Sequence, residues 1–424
     1  MNMPAAAQTE KPASPARERL TSLDAFRGFD ILTMVFVNFI AGMPAIPFIL
    51  RHAPTEMDAY TLTDLVFPGF LFIVGVSIPL ALAKRREAGQ PAGHIIGHVL
   101  VRTLALLFLG VVEVNGDRFS AAATGLSHSL WYFLACAAVF ALWAVVPKDA
   151  GPGRKKLHLV LRIAAAVLLV ILVALFRGKG EDGAVTWFQP SWWGILGMIG
   201  WTYLAGCLLF LASRGNRVVL AGAVGFATAL YIGGRHGVLD FLGPVNSLFG
   251  GGVGSILGSH TAVVTAGMLA GTLFLPGPAL SKPKDRVRSL SVLGLALLAA
   301  GYVLRPLHGF SKNNGTESWA LASAGICCLV FMLFYLLLDI LKLGRAASFL
   351  VPAGRNPLAA YLLPGVLQSA FALLGGLVHA DLWRLLWPLG DQGGWPGMLN
   401  AAAMTALVLF LTTLMTRSRF VLKL

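Results

Sequence analysis

Twelve apolar stretches recur along the chain, separated by short polar breaks: roughly 29–50, 61–83, 95–114, 129–147, 157–176, 191–212, 217–232, 253–275, 289–307, 318–341, 357–379 and 396–416. Most have the length of about 17–25 residues that an α-helix needs to cross a bilayer, the seventh being shorter. The pattern predicts an all-α fold, a polytopic integral membrane bundle of about 12 transmembrane helices (10 to 12). An even number of crossings puts both termini on one side. Pro44 and Pro47 interrupt the end of the first stretch. Proline removes a backbone donor, and irregular backbone at membrane depth is tolerated where it lines a cavity or is buried in protein. The chain from Asn38 to Asp64 is therefore expected to fold inward as part of a site.

Composition agrees with the pattern. Of 424 residues, 57% are hydrophobic and 12% charged, against roughly 25% charged in soluble domains. The mean hydropathy is +0.75. The net charge of +14 is placed topologically. With the loops assigned alternately, 25 of the 33 Lys and Arg fall on the side of the termini. By the positive-inside rule that side is cytoplasmic, and the loop carrying His52 is outside. This placement argues against nucleic acid and leaves membrane lipid or an anionic cytoplasmic ligand as partners. Residues 1–18, rich in Ala and Pro, read as a disordered cytoplasmic tail, and 19–424 as a single membrane domain. No small-residue cleavage site follows the first apolar stretch, which reads as a retained span. Cys136, Cys207, Cys327 and Cys328 all lie in predicted spans, so neither a disulfide framework nor a metal site is expected. The 48 glycines suit close helix packing; the run Gly250–Gly254 has the rival reading of a backbone brought close to a ligand.

Ionisable residues among lipid-depth apolar residues are functional candidates by default. Asp64, followed by Leu65-Val66-Phe67, is one, and His52 is the nearest proton carrier in sequence. A carboxylate that accepts a ring N–H fixes the imidazole tautomer and leaves the other nitrogen free as a base. Asn38 lies in the first span, suited either to an interhelical hydrogen bond or to an oxyanion. At the cytoplasmic end, Thr21 or Ser22 is a candidate helix cap, with Asp24 in the first turn. Arg27 is placed to pair with Asp24, Asp30 or a phosphate. The outer segment Arg305–Trp319 is the densest polar stretch outside: a solvated loop, or a polar wall for a hydroxylated substrate, with Trp319 as interfacial anchor or sugar-stacking face. Asn356 reads as a cap before Pro357, and Gln189–Trp193 as an outer aromatic belt.

Several of these strings resemble one family. Arg19-Leu-Thr-Ser-Leu-Asp-Ala-Phe-Arg-Gly28, Met34-Val-Phe-Val-Asn38, His52-Ala53, Thr63-Asp-Leu-Val-Phe-Pro68 with Phe72–Gly75, and then Ser191–Leu196, Gly254–Leu257 with Ala266-Gly267, Ser311–Asn314 through Trp319, and Gly354-Arg-Asn-Pro357 are similar to the membrane acetyltransferases of the heparan-α-glucosaminide N-acetyltransferase type. Bacterial relatives of that family are associated with N-acetylglucosamine use. The resemblance implies that acetyl passes from cytosolic acetyl-CoA, as cosubstrate, to an amino sugar across the membrane. It implies a catalytic histidine at His52, with Asn38 and Asp64 as the motif asparagine and aspartate, and a bacterial inner membrane as the location. Its animal members imply a homodimer. The region 129–176 adds two spans to the family pattern.

The combined reading is acetyl transfer to the amine of glucosamine or a glucosamine-terminated saccharide. His52 acts as general base or accepts acetyl itself, Asp64 orients the imidazole, and Asn38 polarises the thioester carbonyl. Coenzyme A is expected at Arg27, Gly28, Arg102 and Asn356, and the acceptor at Glu56, Lys312, Asn314 and Trp319, with no metal. Two other readings use the same residues: a proton-coupled twelve-helix sugar transporter, and a membrane O-acyltransferase acting on a polysaccharide hydroxyl.

Overall fold

The computed structural model describes residues 20–147, 149–180, 182–249, 252–276 and 282–424. The predicted tail 1–18, Arg19, and Gly250 and Gly251 of the glycine run lie outside them. Helices occupy all twelve predicted stretches: α1 Thr21–Ile40, α2 Leu62–Glu87, α3 Ala92–Arg118, α4 His128–Trp143, α5 Pro152–Leu175, α6 Gly194–Ser213, α7 Arg217–Arg235, α8 with Gly254–His260 wound as a π-helix and Thr261–Thr272 as an α-helix, α9 Pro283–His308, α10 Glu317–Ile340, α11 Pro357–Val378 and α12 Gly394–Arg417. Among the described residues nine of these, including the seventh, are long and apolar enough to cross a membrane. The other three are α1, which carries Asp24, Arg27 and Asp30, the 16-residue α4, and the two-part α8. The chain is a polytopic all-α membrane bundle. Apart from the helices there is a two-stranded antiparallel ribbon, Gly178–Lys179 against Val185–Thr186, with Gly178 opposite Thr186.

Two boundaries differ from the hydropathy reading. Helix α1 stops at Ile40, ten residues before the apolar stretch does, and residues 41–61 run irregularly save for one 3-10 turn at Phe48–Leu50. Pro44 and Pro47 cause this: apolar character persists after the backbone donors needed for helix are gone. The start of α1 is capped from afar. Leu20 is the N-cap residue, and the N–H groups of Thr21 and Ser22 donate to the two carboxylate oxygens of Asp339 at 3.2 and 3.1 Å. Neither hydroxyl caps the helix, as local sequence had suggested, because a carboxylate at the end of α10 supplies a charged acceptor for the orphan donors.

The central pair is α2 and α8, which touch backbone to backbone. A Cβ at Gly75 would lie 2.9 Å from the Cα of Gly267, and one at Gly271 would lie 3.0 Å from the Cα of Val76. Lipid tails are as apolar as the side chains, so close van der Waals packing through small residues holds such helices together. Around this pair lie buried Phe72, Phe331 and Trp319. Helix α5 is peripheral, burying only Ala165, Leu169 and Leu172. The C-terminal segment turns back beside α4, where Val145 N–H donates to Val421 at 2.9 Å and Lys423 N–H to Trp143 at 3.0 Å.

Candidate active site

Thr61-Leu-Thr-Asp64 forms a capping box at the start of α2. Asp64 Oδ2 accepts the N–H of Thr61 at 3.1 Å, the N–H of Ala53 at 3.1 Å and stands 3.1 Å from the Thr61 hydroxyl. The hydroxyl also reaches the Arg51 carbonyl at 2.6 Å. These bonds tie residues 51–53 to the helix start and leave Oδ1 for His52, whose Nδ1 lies 2.7 Å away. The carboxylate side chain is 1% exposed and the imidazole 48%. An ionised carboxylate has no proton to give, so Nδ1 carries the proton and Nε2 keeps its lone pair. A capping residue thus doubles as the orienter of a half-exposed base.

A second loop locks this arrangement. Residues 309–316, between α9 and α10, clasp the His52 loop: Ala59 N–H donates to the Phe310 carbonyl at 3.2 Å, Phe310 N–H to Asp58 Oδ1 at 2.6 Å, Arg305 Nε to Asp58 Oδ2 at 2.9 Å, and Asn313 Nδ2 to the Thr55 hydroxyl at 2.9 Å. The Phe310 N–H, helped by the Arg305 guanidinium, holds the Asp58 carboxyl below its usual range. From beneath, Trp319 Nε1 donates to the backbone carbonyl of Asp64 at 3.2 Å.

Beside the pair opens a cavity of about 370 Å³ lined by Phe67, Trp192, Met198, Ser255, His260 and Lys312, among others. Phe67 is three residues beyond Asp64 on α2, so cavity and dyad share one helix turn; His52 itself does not line it. Burial lowers the Lys312 ammonium below its ordinary value, against the opposing pull of Asp64. His260 is buried at the end of the π-helical turn with Nδ1 unpartnered among the described residues. Such turns break the regular ladder and re-aim side chains, often at functional sites.

The other expected site residues fall in different places. Asn38 is exposed in the last turn of α1, and no hydrogen bond joins its side chain to the dyad among the described residues. Glu56 is exposed on the His52 loop. Asn314 engages through its backbone, its carbonyl accepting the Tyr231 hydroxyl at 3.0 Å. Trp319 is 0% exposed, so it is neither an interfacial anchor nor a free face for a sugar; burial of α10 against α2 encloses the indole.

The four residues expected around coenzyme A are engaged with the protein. Arg27 donates to the Ser77 hydroxyl at 2.8 Å and the Gly354 carbonyl at 3.3 Å, and lies 3.6 Å from Asp24. Gly28 is in backbone contact with Leu350 and Gly354, which makes it a packing glycine. The Arg102 guanidinium lies 4.7 Å from the centre of the Tyr203 ring, while its Nε is buried with no hydrogen-bond partner among the described residues. Asn356 is fully buried, with Nδ2 donating to the Phe420 carbonyl at 3.1 Å and Oδ1 accepting Leu422 N–H at 3.0 Å; it holds the C-terminal segment, which is why it is not available to a nucleotide.

Sequence reasoning passed over a second dyad. His308 Nδ1 lies 3.0 and 3.1 Å from the carboxylate oxygens of fully buried Glu317. The signal was present twice: Thr61 with Asp64 and Thr316 with Glu317 each put a threonine N-cap and a first-turn acid at the start of an apolar helix. Among the described residues no group of three or more His, Cys, Asp or Glu is close enough to hold a metal ion.

A family model described as "Domain of unknown function (DUF5009)" matches residues 19–240. Over 97 residues the chain is 36% identical to heparan-alpha-glucosaminide N-acetyltransferase of Homo sapiens, covering 23% of this chain and 14% of that protein. Over 138 residues it is 30% identical to the protein of the same name from Mus musculus, covering 30% of this chain and 20% of that one. The matched segments thus span at most a fifth of the curated relatives' length.

Proposed function

The chain belongs to the DUF5009 family, and from its likeness to N-acetyltransferases together with its oriented histidine we propose that it is a transmembrane acetyltransferase. In this reading it moves acetyl from cytosolic acetyl-CoA to the amine of glucosamine or a glucosamine-terminated saccharide outside the bacterial inner membrane. Residues 19–424 act as one membrane domain with both termini cytoplasmic. The likeness to N-acetyltransferases supports the chemistry, and the one observation that carries it is the His52–Asp64 pair: a buried carboxylate fixing a half-exposed imidazole.

His52 Nε2 takes a proton from the acceptor nitrogen as that nitrogen bonds to the thioester carbonyl carbon. The carbon–sulfur bond then breaks, and the departing thiolate is protonated to the free thiol, so protons balance. Asp64 stabilises the transient imidazolium without taking its proton. Asn38, exposed in the last turn of α1, is the candidate donor to the developing oxyanion. The cavity with Ser255 and Lys312 is the candidate seat of the saccharide, and its apolar wall of Phe67 and Trp192 suits a pyranose face.

Purified protein reconstituted with labelled acetyl-CoA and glucosamine should form an amide-linked product, and His52→Ala should abolish it. Undiminished transfer by that variant removes His52 from the mechanism; an ester product would reassign the chain to hydroxyl acylation.

A further inference from the structure

A second cavity, of about 380 Å³, lies at the end of the bundle opposite the His52 loop, between the α4–α5 connection and the first half of α5. Its lining is Val146, Pro147, Lys155, His158, Leu159 and Arg162. Positions 155, 158 and 162 are spaced three and four apart and share one helix face. The site is unfinished in two places: His158 Nδ1 and Arg162 Nε are shielded from solvent with no hydrogen-bond partner among the described residues, while Arg162 Nη2 donates to the Ala144 carbonyl at 2.9 Å. Buried polar atoms without partners are costly, and the Arg162 Nε–H, a donor in every state, calls for an acceptor. Of the nearby acids, Asp149 is exposed and engaged by Arg419 at 3.2 Å. The pocket therefore faces its ligand with basic groups alone.

The surroundings decide what sort of acceptor this is. Helix α5 is the outermost element, and Leu157, Leu159, Val160 and Leu161 are all about half exposed around the basic face. Apolar side chains beside long basic ones are what a helix presents at the boundary of acyl chains and headgroups. A spanning helix meets lipid along this face, so the phosphate nearest its basic groups is that of a lipid headgroup.

We propose that this pocket binds the phosphate of an anionic phospholipid headgroup, with Lys155, His158 and Arg162 around the phosphate and the leucines against the first methylenes of the chains. The placement in the inner leaflet rests on the topology of the proposed function; binding itself does not.

The test uses the full chain, delipidated in detergent and titrated with dioleoyl phosphatidylglycerol or dioleoyl phosphatidylcholine, with bound lipid read by native mass spectrometry and stability by thermal shift. Wild type should retain and be stabilised by phosphatidylglycerol in preference to phosphatidylcholine. Lys155→Gln should weaken that binding roughly fivefold, the effect of one basic side chain near an anionic surface, and Lys155→Gln with His158→Gln should remove the preference. Lys155 is exposed, so the single variant carries the test if the double variant does not fold. Equal retention of the two lipids by wild type, or an unchanged preference in the variants, overturns the proposal. So does displacement of phosphatidylglycerol from wild type by coenzyme A, which would give the pocket to a nucleotide phosphate. Acetyl transfer in detergent is a separate readout, so a wild type that transfers acetyl but shows no lipid preference sinks this site alone.

Discussion

His52 Nδ1 and Asp64 Oδ1 meet at 2.7 Å with only the imidazole open to solvent. The carboxylate's second oxygen is taken up by the Ala53 and Thr61 N–H groups, so its direction is set by the start of α2 and not by the ligand. Asp64→Asn keeps most of that cap but replaces the charged acceptor, and the amide can present N–H to the ring and turn out the wrong tautomer. Turnover should fall by about 10²–10⁴, the range a positioned general base supplies, while thermal stability changes by no more than about 1 kcal/mol, the scale of a cap. Activity that merely tracks the amount of folded protein would reduce Asp64 to a capping residue.

Trp319 supports the same residue from below. Its Nε1–H is committed to the Asp64 carbonyl, and its ring is enclosed. Trp319→Phe keeps an aromatic ring but leaves that carbonyl short of a donor, at a cost of about 1–3 kcal/mol. The expected signature is a lower melting temperature and lower kcat with KM for the amino sugar unchanged. A selective rise in that KM would mean that the indole reaches substrate.

Much of the bundle was legible because hydropathy reports burial in lipid directly. All twelve stretches contain helix, and the two prolines inside the first of them marked the break that follows Ile40, which hydropathy alone ran on to residue 50. The dyad was legible for a local reason: an ionisable residue leading an apolar run stands out, and the nearest proton carrier lies only twelve positions before it. What local sequence did not show were partners brought from afar. Asp339 caps α1 across some three hundred residues, Asp58 gathers Phe310 and Arg305, and Asn356 meets the last strand-like residues of the chain. Trp319 misled because tryptophan near a span end is common both at interfaces and in cores, and only tertiary packing decides between them.

Lys312 lies in the 309–316 loop, outside the spanning helices, where burial lowers its ammonium from 10.5 despite Asp64. The folded protein therefore releases this proton at a lower pH than the unfolded chain. Between the two values the unfolded state binds more protons, so this residue makes stability rise with pH. Melting temperatures measured on the alkaline side should show wild type gaining on Lys312→Met as pH climbs toward 10.5. Parallel profiles for the two proteins would show that the lysine is charged alike in both states.

Asn356 separates a fold role from a donor-binding role. Both ends of its amide are used, one by the Phe420 carbonyl and one by the Leu422 N–H, and the side chain is shut off from solvent. Asn356→Ala strands two backbone groups and frees the C-terminal segment from the junction before α11. The expected loss is about 1–3 kcal/mol of stability, with protease sensitivity appearing near residues 418–424. KM for acetyl-CoA in the surviving folded protein should stay at the wild-type value. Were that KM instead to rise tenfold while the melting temperature held, the amide would have to leave its two backbone partners on donor binding, and the buried junction would be a closed form of the site.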